Sequence, residues 1–290
     1  MMKKILLWLR IIRPQTLPAS LCPVIVGLVC SPAAIHWPVA CTTLLCALGL
    51  QILSNLINDY YDFRRGTDRK ARIGFRRALA EGEVTERQML IAIDICVTIT
   101  LALGFALILC GRWPILLIGL TALLFAWLYT ATSHSLSYLG IADIFVWLYY
   151  GVVASTGTTW LQLSMTQTAD VQWTSFASSF WAGSVCGLIS MLVLMINNLR
   201  DLDGDRETGK RTLPVRIGKR PCEILMLLII LFALACAYEA FSISWVLLFA
   251  LPLLVLWAAV LHAEGKAYNI CLLGAGLCNL CYVFLVLCFQ

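Results

Sequence analysis

Long apolar runs dominate this chain and leave it few ways to fold. Nine of them fall near residues 17–35, 38–57, 89–110, 113–131, 139–161, 175–196, 221–240, 243–261 and 268–288. A helix needs about 20 mostly apolar residues to cross a bilayer, and each run comes close to that length. The runs are too long for strands and do not alternate. They predict an all-α, polytopic membrane protein with nine transmembrane helices, forming a single domain over residues 1–290. Composition agrees: hydrophobic residues make up 61% of the chain, charged residues 13%, and the mean hydropathy is +0.87. Such figures exclude a disordered chain, a disulfide-stapled secreted domain and a nucleic-acid binder.

The basic residues test that count. Four Lys/Arg precede the first run, eight lie between the second and third, seven between the sixth and seventh, and Lys266 lies between the eighth and ninth. Only Arg112 falls elsewhere. Nine crossings with the N-terminus inside put all the others on the cytoplasmic side, as the positive-inside bias requires. The expected topology is N-terminus cytoplasmic and C-terminus outside, in a bacterial inner (plasma) membrane. Arg10 and Arg13 interrupt the first apolar stretch, so residues 1–12 read as a retained interfacial helix with Trp8 near the headgroups. The joins after the first, third and seventh runs are short enough for tight helical hairpins. Thr85 and Gln88 have capping-box spacing ahead of the third run. The 13 cysteines read as small apolar packing residues, the Cys278/Cys281 pair included.

Ten of the 16 acidic residues follow the second and sixth runs. Asn55, Asn58, Asp59 and Asp62 share one helix face, and Asn197, Asp201 and Asp205 share another. Carboxylates stacked at a helix C-terminus repel one another and oppose the helix dipole. A divalent cation removes that penalty. Magnesium takes oxygen ligands and is commonly shared between one or two carboxylates and a substrate phosphate. Two such clusters suit a diphosphate held between two ions, with Arg76, Arg77, Lys210 and Arg211 close in sequence to bind its remaining oxygens. A prenyl diphosphate fits this arrangement. Its tail would lie between helices, its head at the membrane edge, and the bundle would keep water from the allylic cation.

Five short motifs carry a resemblance. Asn58, Asp59, Tyr60, Tyr61 and Asp62, followed by Gly66 and Asp68, resemble the first aspartate motif of the UbiA superfamily of intramembrane aromatic prenyltransferases. Asn198 to Asp205, running on through Gly209, Lys210, Arg211, Thr212 and Leu213, resemble the second. The stretches 13–19, 77–82 and 127–130 narrow the resemblance to the branch acting on 1,4-dihydroxy-2-naphthoate. It implies helices around a central cavity, capped by two cytoplasmic loops. It implies magnesium-dependent transfer of a prenyl group from a polyprenyl diphosphate to 1,4-dihydroxy-2-naphthoate, with loss of diphosphate and CO2. Asn58, Asp59 and Asp62 would serve one magnesium diphosphate unit, and Asp201 and Asp205 the other. Arg77 and Lys210 would contact the diphosphate with help from Arg211, and Tyr129 would face the allylic cation.

Two departures fall in loops. Residues 130–137 lack the Gly-Pro turn expected in this branch, and Gly74-Phe75 replaces another. Both bear on the acceptor, so 4-hydroxybenzoate or homogentisate stand as alternatives, and His134 enters as an acceptor-site candidate. Asp143, inside the fifth run, reads as cavity lining or a helix–helix hydrogen bond, and Asp94 is treated alike. Glu223, Glu239 and Glu264 read as interfacial. A cation-coupled transporter is the competing class. It needs a polar path through the spans, and away from the run ends only Asp94 and Asp143 are acids inside the apolar runs, both toward the cytoplasmic side.

Overall fold

A computed structural model gives the fold. It describes the chain apart from residues 1, 65, 67–76, 131–141, 167–171, 173, 242 and 290, and apart from the side chains of 2, 126–130, 243–245, 247 and 289. Every described element is helical. In order they are α1 (Met2–Ile12), a 3-10 turn (Pro14–Thr16), α2 (Pro18–Val29), α3 (Trp37–Arg64) and α4 (Glu86–Thr130). Next come α5 (Ala142–Trp147), a π-helical turn (Leu148–Val153), α6 (Ala154–Leu163), α7 (Thr174–Arg200), α8 (Leu202–Glu207) and α9 (Leu213–Ile217). The chain closes with α10 (Lys219–Ala240), α11 (Ile243–Leu261) and α12 (Ala267–Phe289). Each of the nine apolar runs has most of its described residues on a helix. Five helices are long and apolar enough to cross a membrane on that test alone, and α1 with α2 forms a sixth candidate bent by 55°.

Local sequence explains where these helices start and turn. Thr85 and Gln88 form the expected capping box: the Thr85 amide donates to Gln88 Oε1 at 2.8 Å, and the Gln88 amide donates to Thr85 Oγ1 at 3.2 Å. Helix α4 is interrupted at Arg112, where φ is 58° and ψ −146°. Its first half runs antiparallel to α3, with Met89 beside Leu56 and Leu107 beside Val39. Its second half returns along α6 and α5, with Ile118 against Gly157 and Phe125 against Tyr149 and Phe145. The tight hairpin is therefore present. Two residues separate α10 from α11, which makes a second short join.

Burial separates an axis from a rim. In α7, 72% of the apolar window is buried, against 11% in α4, so α7 is the axis and α4 presents leucines and phenylalanines outward. Helix α7 packs on α2, α5, the π turn, α6, α10 and α12. Glycines set the closest approach. A β-carbon at Gly151 in the π turn would sit 2.7 Å from the Gly183 carbonyl oxygen and 2.8 Å from the Gly187 α-carbon of α7. Backbone meets backbone there, as small-residue packing in membranes allows.

Three residues sit differently from the sequence reading. Asp94 is exposed on the outer face of α4, so it lines no cavity. Glu223, near the start of α10, is buried and lies 3.8 Å from Lys219 instead of facing outward. Trp8 is half-buried among Ile11, Leu56, Leu79 and Met89, because α1 folds back onto the end of α3.

Gly151→Leu should abolish folded protein, or cost at least about 3 kcal/mol, since the contacted atoms are backbone. Gly104→Ala, where a β-carbon meets open space, should leave stability unchanged or raise it by up to about 1 kcal/mol. Thermal unfolding and gel filtration in detergent check both.

Candidate active site at the paired acidic helix ends

Helix α3 has 28 residues, about 42 Å at 1.5 Å per residue, and outruns the roughly 30 Å hydrocarbon core. Its last turns therefore carry Asn55, Asn58, Asp59 and Asp62 out to the membrane edge. Asp59 is only 2% exposed. A buried carboxylate at a helix C-terminus needs a cation, and it has two: Arg13 and Arg77 both pair with Asp59 Oδ1. Arg77 Nη2 also lies 3.4 Å from Asp62 Oδ2. Arg13 adopts left-handed backbone, with φ 57° and ψ 71°, a strained conformation for a residue with a β-carbon. Asn55 holds the segment after it. Its Nδ2 donates to the Ile12 carbonyl and to Thr16 Oγ1, both at 2.9 Å, and Gln51 Nε2 donates to the same hydroxyl at 3.2 Å. Asn58 is half-buried on the adjoining face of α3.

The second motif straddles a helix joint. Helix α7 ends at Arg200 and α8 starts at Leu202, yet the hydrogen bonds run on: the Asp201 amide donates to the Asn197 carbonyl and the Asp205 amide to the Asp201 carbonyl. The four-residue spacing thus survives the break. The Arg200 side chain is 2% exposed. Its Nε and Nη2 grip Asp201 Oδ1 and Oδ2 at 2.8 Å each, Nη2 also reaches Asn197 Oδ1, and Nη1 reaches Asn269 Oδ1 at 2.9 Å. Asp205 stands in the first turn of α8, where the helix dipole favours a carboxylate. Thr212 Oγ1 donates to its Oδ2 at 3.3 Å, and Lys210 Nζ lies 3.8 Å from its Oδ1.

Both motifs sit at the same end of the bundle. Asn269 near the start of α12 meets Arg200. Two turns on, a β-carbon at Gly276 would lie 3.5 Å from the Gln15 carbonyl, in the turn between Arg13 and Thr16. Helix α12 thus links the two clusters.

The structure brings Asp59, Asp62 and Arg77 together, and Asp205 with Lys210. Arg211 is exposed, and the contact it makes is through its carbonyl, which accepts from Arg216 Nε at 3.0 Å. The side chain of Tyr129, and residues Asp68, Arg76 and His134, lie outside the described residues. Two residues were missed as site members. Arg13 stood in a quoted motif without a role. Arg200 adjoins Asp201, and a lone basic residue beside an acid in a buried segment was the available signal.

Among the described residues, no three His, Cys, Asp or Glu side chains form a group able to hold a metal by themselves. Two carboxylates in each motif are nonetheless the oxygen-rich, incomplete donor set that magnesium takes when a substrate phosphate supplies further ligands.

The chain is an apolar helical bundle that carries two carboxylate–guanidinium clusters at one end. The chain belongs to the UbiA prenyltransferase family, which it matches over residues 20–270. It is 34% identical to the 1,4-dihydroxy-2-naphthoate octaprenyltransferase of Escherichia coli, over 89% of this chain and 85% of that one. It is 32% identical to the enzyme of that name from Mycobacterium tuberculosis, over 87% and 80%. The fold resembles a UbiA homolog from Archaeoglobus fulgidus bound to GPP and Mg2+, with a TM-score of 0.62, 16% identity and coverage of 97% and 98%. It also resembles the apo UbiA homolog from Aeropyrum pernix K1, with a TM-score of 0.65, 18% identity and coverage of 94% and 98%.

Arg200→Met should cost about 3–5 kcal/mol, because it strands the Asp201 carboxylate with no guanidinium. Adding Asp201→Asn should restore part of the loss. Thermal midpoints of the single and double variants measure both.

Proposed function

We propose that this protein transfers a polyprenyl group from a polyprenyl diphosphate to 1,4-dihydroxy-2-naphthoate, releasing diphosphate and CO2 and giving demethylmenaquinol. The observation that carries the reading is the pair of acidic helix ends, each with its own basic partners, at one end of an apolar bundle. The curated relatives named as 1,4-dihydroxy-2-naphthoate octaprenyltransferases support the acceptor. The same reading takes nine crossings, with α1 on the surface and both motifs facing the cytoplasm of a bacterial inner membrane. Its support is the hairpin at Arg112 and the basic residues gathered at the acidic end.

Asp59 and Asp62 would hold one magnesium ion with help from Asn58, and Asp201 and Asp205 the other. Bound there, the ions supply positive charge against the diphosphate. The chain's own part is electrostatic and spatial. Arg77 and Lys210 stand beside the carboxylates and offer N–H donors to phosphate oxygens as charge builds on the leaving group. Tyr129, near the end of α4, would present its ring to the allylic cation. Helix α7 and its neighbours keep water from that cation. A polar path through the spans, which a transporter needs, has no support from Asp94, since that residue faces outward.

The test is a mass-spectrometric product assay on purified protein with 1,4-dihydroxy-2-naphthoate, a long-chain prenyl diphosphate and magnesium, with 4-hydroxybenzoate as competitor. The expected product is demethylmenaquinol, lost with EDTA. Asp62→Ala and Asp201→Ala should each reduce kcat by about 100-fold or more. Prenylated benzoate would move the protein to another acceptor. Full turnover in both variants would remove the carboxylate roles.

A further inference from the structure

The most unusual buried group in this molecule lies outside both acidic motifs. Asp143, in the first turn of α5, is 3% exposed, and neither of its carboxylate oxygens has a hydrogen-bond partner among the described residues. Among the described carboxylates, no other has both oxygens buried and unmatched. One turn along α5, the Trp147 indole N–H is also buried without a partner. Residues four apart share a helix face, yet this donor and this acceptor do not bond each other. Each unmet group is destabilising where it stands, the carboxylate most of all.

The face that carries them points into the bundle. Phe145 and Tyr149 pack their rings, tilted, against Phe125 of α4, and Ile144 is exposed on the outside. The remaining face holds Asp143, Trp147 and, after the π turn begins, Tyr150 and Gly151. Gly151 touches α7, and Tyr150 lies beside Ser54 of α3. That neighbour also sets the height. Helices α3 and α5–α6 run antiparallel, with Val39 beside Leu161 at the far end. Ser54 lies five residues before Asp59, and Asp143 lies seven before Tyr150, toward the same end. At about 1.5 Å per residue, Asp143 stands roughly level with the turn that carries Asp59 and Asp62. On α10, Cys222 lies near enough to feel the charge of Asp143, and Lys219 is paired to the neighbouring Glu223. None of these side chains bonds the Asp143 oxygens.

We propose that Asp143 and Trp147 are the acceptor-binding wall of the site. The Asp143 carboxylate accepts a hydrogen bond from a ring hydroxyl, and the Trp147 indole N–H donates to a second oxygen of the ring. A dihydroxynaphthoate carries hydroxyl donors and oxygen acceptors on one rigid frame, which is what a fixed acceptor and a fixed donor on one helix face require. The inference rests on the function proposed above and names the residues that recognise its aromatic substrate. The height fits as well, since the ring must reach the carbon next to the diphosphate that the Asp59–Asp62 turn serves.

The experiment uses the full-length protein in detergent, with wild type, Asp143→Leu, Asp143→Asn and Trp147→Phe. Three quantities are read: the Kd of 1,4-dihydroxy-2-naphthoate alone from its fluorescence, the KM of each substrate, and the thermal midpoint. Asp143→Leu should raise the naphthoate Kd by roughly 10- to 100-fold, and Trp147→Phe by roughly 3- to 10-fold. Asp143→Asn, which keeps an acceptor oxygen but loses the charge, should fall between wild type and Asp143→Leu. The KM for prenyl diphosphate should not move in any of them. The midpoint of Asp143→Leu should stay level or rise, because an unmatched buried carboxylate is removed. A structural role predicts the opposite: a lower midpoint with both KM values worsening together, which would overturn the proposal. Unchanged naphthoate binding in Asp143→Leu and Trp147→Phe, from protein whose wild type still prenylates naphthoate, would overturn it while leaving the function standing. Wild type that neither binds nor prenylates naphthoate would sink the function and this inference together.

Discussion

The acidic end of this bundle depends on matching each helix-end carboxylate with a cation. Asp59 is buried where α3 presents its negative pole, and ionisation there is tolerable only because Arg13 and Arg77 converge on one of its oxygens. Asp201 poses the same problem at the end of α7, and Arg200 meets it with a two-pronged grip. These pairs also shape the chain around them. Arg13 stands at the bend between α1 and α2, so its bond to α3 folds the N-terminal helix onto the bundle. Arg77 ties the segment before α4 to the end of α3. Removing one charge would loosen a joint as well as a contact.

The apolar part does a different job. Helix α7 is held by neighbours on nearly every side, and the Gly151, Gly183 and Gly187 contact lets α5 and its π turn press against it. Van der Waals packing and close backbone approach drive such contacts in lipid, where burial from water offers little. A rigid axis fixes where α7 ends, and with it the position of Arg200 and Asp201. Helix α12 carries that position across to the first motif through Asn269 and Gly276. The two acidic ends are therefore registered to each other by ordinary helix packing.

Much of this was legible in the sequence, and the reasons differ by feature. The described parts of the apolar runs are largely helical because run length and polarity are local properties. The capping box at Thr85 and Gln88 was equally local. Asp59, Asp62, Asp201 and Asp205 could be found because like charges at helical spacing are unfavourable unless something compensates. The compensating side chains were harder to see. Arg13 pairs across 46 residues, and no spacing rule reaches that far. Arg200 looked like one more cytoplasmic positive charge. The π turn had no sequence signal, so the side chains that α5 sends inward could not be assigned, and Asp143 remained a choice between cavity lining and a helix contact. Asp94 was misplaced because depth along a span can be counted, whereas the face a residue occupies depends on the neighbours.

Charge balance gives the metal a physical reason on the proposed reading. Asp59 and Asp62 are opposed by Arg13 and Arg77, Asp201 by Arg200, and Asp205 by Lys210, so the clusters are close to neutral among themselves. A diphosphate adds negative charge beside four carboxylates in a region of low dielectric, and their repulsion would oppose it. The arginines cannot serve the substrate fully while they serve the aspartates. Divalent cations resolve the conflict by taking over the carboxylates, which frees guanidinium and ammonium groups for phosphate oxygens. Metal and substrate should therefore bind with positive coupling, each relieving the electrostatic penalty of the other.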